Sequence, residues 1–124
     1  MNVTAMPSKP ILYLLKTSFK DPALGADSFY CPYCIKIEGM LTAFPALKDE
    51  LEIRHVDFAK PRGDLSRYVD EDSQSCPQLI FAQGDDEISP IWSVAGLNGV
   101  RRMDNTSEIC TYFSHRFGLP IRHP

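Results

Sequence analysis

No apolar run in this 124-residue chain is longer than Ile11-Leu12-Tyr13-Leu14-Leu15, and a membrane-spanning helix needs about 20 such residues. A membrane span is therefore not expected. Excess positive charge is also missing: 13 Lys and Arg face 16 Asp and Glu, and apart from Arg101-Arg102 the basic residues are scattered. That leaves no electrostatic footprint for nucleic acid. Neither a basic n-region nor a small-residue cleavage site precedes Ile11, so the expected location is the cytoplasm. In that reducing compartment the four cysteines are expected as thiols rather than as a disulfide scaffold. The sequons at Asn2 and Asn105 then carry no glycan. A structural zinc site would want a second closely spaced cysteine pair, which is lacking, and His55, His115 and His123 share no ligand spacing with the cysteines. There is no internal repeat or low-complexity tract, and 44% apolar residues over this length suffice for one core. The expectation is one domain, residues 1–124.

What the chain does have is Cys31-Pro32-Tyr33-Cys34, two thiols one helical turn apart. From Cys34 onward Ile37, Met40, Leu41 and Phe44 recur at helical spacing, with Pro32 suited to the first helical position and Pro45 ending the run. A thiol at a helix N-terminus faces unpaired backbone N–H groups, an environment that favours thiolate. Cys31 is the expected nucleophile. Cys34, a turn further in and more buried, is placed to resolve a mixed disulfide on Cys31.

Around this motif the chain reads as strand, helix, strand, helix, strand, strand, helix. Residues 11–15 suit a buried central strand, since a short continuous apolar run is what burial on both faces requires. Residues 17–30 hold turn formers and no apolar period, and so predict a long loop. A second strand is predicted over 51–58, reached by a connection long enough for a parallel crossover. A short helix follows over 61–72, where Leu65, Tyr68 and Val69 supply an apolar side. Strands are predicted at 78–82 and 100–103, with an elaborated hairpin over 86–97 and a turn signal at Asn98-Gly99. Asp104 or Asn105 caps a final helix that ends at Gly118. The sum is an α/β domain with a four-stranded mixed sheet flanked by helices.

This order, with the dithiol at its first helix, resembles the thioredoxin-like superfamily over nearly the whole chain. Within it the chain is similar to glutaredoxins and to the N-terminal domain of glutathione transferases; the length leaves no room for the transferases' second, helical domain. The chain also looks like an uncharacterised bacterial thioredoxin-like group. Beyond the dithiol, the matching residues are Ser75-Cys76-Pro77-Gln78-Leu79, similar to the family's cis-proline segment; Lys16-Thr17 after the first strand; and Asp104-Asn105-Thr106 before the last helix. The resemblance implies a glutathione-linked thiol-disulfide oxidoreductase with no resident cofactor, acting on glutathione or protein disulfides. Lys16 would take the glycyl carboxylate of glutathione, Tyr33 would form a wall, Cys76 and Pro77 would pair with the cysteinyl backbone, and Asp104, Asn105 and Thr106 would hold the γ-glutamyl group.

Two departures from the pattern stand out. About a dozen residues separate Lys16-Thr17 from the dithiol, enough for a lid or a partner surface, and Arg102-Met103 replaces the glycine pair usual before the acidic residue. Cys76 is unusual where the resemblance puts it, beside the dithiol. It is a small packing residue, a third redox thiol, or a third soft ligand with Cys31 and Cys34 for a metal or [2Fe-2S] centre. A non-catalytic adaptor using 17–30 and 86–97 as its binding surface is the remaining alternative. Cys110, between Ile109 and Tyr112, is expected in the core.

Overall fold

In the computed structural model, which describes residues 7–85 and 92–124, the run Ile11–Leu15 is strand β1 and is buried at every residue. Its position explains its composition. β1 pairs in parallel with β4 (Glu52–Val56) on one side, and antiparallel with β5 (Gln78–Ile80) on the other. A strand covered on both faces and both edges gains by being apolar throughout.

Beyond β5 lie β7 (Arg101–Met103) and β6 (Val94–Ala95), giving a five-stranded mixed sheet in the order β4-β1-β5-β7-β6. The four-stranded expectation is thus one strand short. β6 is a two-residue edge strand with both residues exposed, and so has no apolar alternation to read. The β6–β7 turn is the one signalled by Asn98-Gly99, both in the left-handed region at φ 58° and 77°. The side chain of Asn98 ties that turn down by donating to the Arg67 carbonyl at 2.7 Å. Of the elaborated hairpin predicted over 86–97, residues 86–91 lie outside the described residues.

The β1–β4 crossover carries helix α1 (Pro32–Ala43), which buries Cys34, Ile37 and Leu41, and a single turn, α2 (Leu47–Glu50). Helix α3 (Thr106–Phe117) packs on α1 and buries Ile109, Tyr112 and Phe113. Asn105 caps it, its Oδ1 accepting from the Glu108 N–H at 3.1 Å, and Gly118 closes it in the left-handed conformation. Among the described residues no helix is long and apolar enough to cross a membrane.

Two predicted elements differ. The helix over 61–72 is instead two 3-10 turns, Gly63–Arg67 and Glu71–Ser73. Gly63 has φ 56°, outside the right-handed helical region, so no α-helix runs through that point. Leu65, Tyr68 and Val69 are nonetheless all buried, which gave the segment its helical look. The loop over 17–30 holds a small hairpin, β2 (Phe19–Lys20) with β3 (Ser28–Phe29), around a 3-10 turn at Pro22–Leu24. Two-residue strands carry too little periodicity to be recognised from sequence.

Candidate thiol site

Strand β1 and helix α1 meet at the dithiol. Cys31 is the N-cap of α1, and its Sγ accepts the backbone N–H of Cys34 at 3.3 Å. Pro32 takes the first helical position, where a missing N–H costs nothing. Cys31 is partly exposed, whereas Cys34 is only 3% exposed and its Sγ accepts the Leu15 N–H at 3.4 Å. Burial pushes the Cys34 thiol well above the ordinary thiol range, with the neighbouring Cys31 and Cys76 adding to the rise. All four cysteines are free. The geometry is that of an accessible thiol backed by a buried one.

On the opposite side stands the loop entering β5, in which Cys76-Pro77 is a cis peptide, as the resemblance of that segment implies. The Cys31 thiol lies 3.8 Å from the Cys76 carbonyl oxygen, its acceptor. Asp104 joins this side: its carboxylate accepts from the Ser75 hydroxyl at 2.9 Å and lies 3.8 Å from the Arg102 guanidinium. Arg102, standing where the resembling family has glycine, also donates to Gln78 at 3.1 Å. Cys31, Cys34, Cys76, Pro77 and Asp104 are thereby gathered at the same end of the sheet.

The other predicted contacts are arranged differently. Lys16 lies on the β4 side of β1, the side away from Cys76-Pro77; its backbone N–H bonds Val56 and its ammonium pairs with Asp57 at 2.7 Å. Tyr33 is 57% exposed beside the dithiol. The Asn105 side chain is engaged in capping α3, and Thr106 begins that helix.

Arg62 is the residue that sequence reading passed over. It is 9% exposed, and its guanidinium donates to the Phe58 carbonyl at 3.0 Å and the Gln74 carbonyl at 2.9 Å, while its backbone N–H donates to the Gln74 side chain at 2.8 Å. Its guanidinium lies 5.3 Å from the centre of the Phe58 ring, and Phe58 stacks on Phe19 of the hairpin at 4.8 Å. It also flanks Cys76. Burial pushes that thiol up to about 11, with the charge of Arg62 and a hydrogen bond from it pulling the other way. Arg62 thus links the inserted hairpin to the cis-proline loop. Between Pro61 and Gly63 it reads as a surface cation, and no spacing rule marks it.

Cys110 is half-buried on α3 and lines a groove of about 630 Å³ with Met40, Phe44 and Ile121, away from the other thiols. Among the described residues no group of three or more His, Cys, Asp or Glu is arranged to hold a metal ion, the set Cys31, Cys34 and Cys76 included.

Sheet order and thiol geometry together define a mixed α/β protein with a partly exposed and a buried thiol at the head of its first helix. The chain belongs to the family described as "Protein of unknown function (DUF3088)", whose model matches residues 9–121. Among curated proteins and among solved structures, nothing matches.

Proposed function

We propose that the chain is a thioredoxin-like, glutaredoxin-related thiol-disulfide oxidoreductase working on the Cys31-Cys34 pair, with glutathione as reductant. The observation that carries this reading is the pairing of an accessible Cys31 sulfur, held by the Cys34 N–H at 3.3 Å, with a second thiol sealed one turn deeper. The sheet order, parallel at β1–β4 and antiparallel from β1 through β5 to β7, supports the fold half of the proposal.

In the reaction the Cys31 thiolate attacks a substrate disulfide, forming a mixed disulfide and releasing one substrate thiolate. Cys34 then gives up its proton and attacks the Cys31 sulfur. The second substrate thiolate leaves, and the protein holds a Cys31–Cys34 disulfide that two glutathione molecules reduce, yielding glutathione disulfide. Asp104 suits the α-amino group of glutathione. For Lys16 to take its glycyl carboxylate, the ammonium would leave Asp57 on the β4 side of β1 and turn toward the dithiol, giving up a largely exposed pair worth about 0–1 kcal/mol. The exposed Tyr30 and Tyr33 on either side of Cys31 also suit a protein disulfide as substrate. The free thiols fit a reducing, cytoplasmic setting.

The test is glutathione-coupled reduction of a small mixed disulfide by folded wild-type, Cys31→Ser and Cys34→Ser proteins. Cys31→Ser is expected to lose activity by about a hundredfold or more, and activity surviving in Cys34→Ser would mark a monothiol route. Equal activity in wild type and Cys31→Ser, or none in any of them, would refute the proposal.

A further inference from the structure

The dithiol has a third thiol beside it, placed unlike either of the first two. Cys76 lies in the loop whose carbonyl already meets the Cys31 sulfur at 3.8 Å. Of the other two thiols, Cys34 is the more deeply buried, and among the described residues its sulfur accepts a backbone N–H from Leu15. The Arg62 guanidinium, fixed by the Phe58 carbonyl and by the Gln74 carbonyl two residues before Cys76, offsets part of the burial that raises the Cys76 thiol. A fixed cation next to a thiol lowers the cost of forming the attacking thiolate, and the attacking thiolate limits resolution.

We propose that Cys76 is a second resolving thiol, which attacks the mixed disulfide on Cys31 from the cis-proline loop with Arg62 as its counter-charge. The inference rests on Cys31 being the nucleophile, as in the function proposed above, and adds a branch to its chemistry. The Cys76 sulfur, having lost its proton to solvent, bonds to the Cys31 sulfur. The bond from Cys31 to the substrate sulfur breaks, and the substrate leaves as thiolate. The two protein thiols are oxidised by two electrons, the incoming disulfide is reduced to two thiols, and the new Cys31–Cys76 disulfide is returned to thiols by glutathione. Such a branch would let the protein release a substrate even while Cys34 stays protonated within the core.

The experiment uses the full chain carrying Cys110→Ala and Cys34→Ala, so that only Cys31 and Cys76 remain, with circular dichroism to check folding. One equivalent of a nitrobenzoate disulfide, whose thiolate is coloured, is added without air. The expected result is one thiolate released as Cys31 reacts, then a second as the mixed disulfide is resolved, with a Cys31–Cys76 crosslink found by peptide mass. Adding Cys76→Ala is expected to slow the second release by about tenfold or more. A mixed disulfide that persists on Cys31 with no crosslink would overturn the inference while leaving Cys31 as nucleophile. Absence of the first release would overturn the oxidoreductase reading, and this inference with it. The peptide map settles the matter without the Cys76→Ala protein, should that variant fail to fold.

Discussion

At the scale of single residues, the molecule turns on side chains whose neighbours change what they can do. Cys31 and Cys34 are the same chemical group one turn apart, and they differ because one caps a helix at the surface and the other lies under β1. Arg62 shows the reverse effect, a charged residue drawn inward because two loops offer it carbonyls. Replacing it with Met keeps much of the volume but leaves the Phe58 and Gln74 carbonyls without their donor. A buried group left unsatisfied costs about 1–3 kcal/mol, so Arg62→Met is expected to lower stability by about 3 kcal/mol. Urea unfolding would read this as a lower midpoint at unchanged slope. A loss below about 0.5 kcal/mol, the scale of ordinary surface substitutions, would show that the guanidinium does not hold the two loops together.

At the scale of elements, the inserted hairpin and the β6–β7 edge are both fastened to the loop region that follows β4. The hairpin is anchored by Phe19 on Phe58, and the edge by Gly96 and Leu97 against the Tyr68 carbonyl, which accepts the Leu97 N–H at 2.7 Å. A Cβ on Gly96 would overlap that carbonyl oxygen and the Val100 side chain. Gly96→Ala is therefore expected to destabilise by about 1–3 kcal/mol, as overpacking against backbone does. Amide exchange would localise the loss to 94–103, with α1 and β1 protected nearly as before. Uniform loosening of the whole chain would show instead that the edge hairpin and the core open together. The hairpin at 19–29 was not legible as structure because its pairing is two residues long, and the segment at 61–72 read as a helix because its buried side chains fall at helix-like intervals along 3-10 turns.

At the scale of the whole molecule, folding holds several acidic groups in their protonated form. Burial raises Cys34 above the ordinary thiol range and Cys76 to about 11; burial together with the Asp64 carboxylate raises Tyr13 above the ordinary phenol range. In the unfolded chain a thiol ionises near about 8.5 and a phenol near about 10. Above those values the unfolded state binds fewer protons than the folded one, so stability falls as pH rises. The contribution from Cys76 is complete below about pH 8 and is lost by about pH 11, while those of Cys34 and Tyr13 continue to fall beyond that. Denaturant unfolding between pH 8 and pH 11 is expected to show this decline, and Cys34→Ala to flatten it. A stability independent of pH across that range would mean these groups are not kept protonated by the fold.

The sequence by itself determined the central strand, the dithiol helix with its capping cysteine, the Asn98-Gly99 turn and the capped final helix. Each follows from interactions within a few residues: a run of apolar side chains, a proline at a helix start, a turn pair with left-handed dihedrals, a side chain reaching a nearby N–H. Only the tertiary structure decided that Arg62 is buried beside Cys76, that Lys16 pairs with Asp57 on the far side of β1, and that Asp104 meets the cis-proline loop through Ser75. Those partners are brought together by loops meeting in space. What selects them is the need of buried carbonyls and charges for a counterpart once water is gone, a need that spacing along the chain does not record.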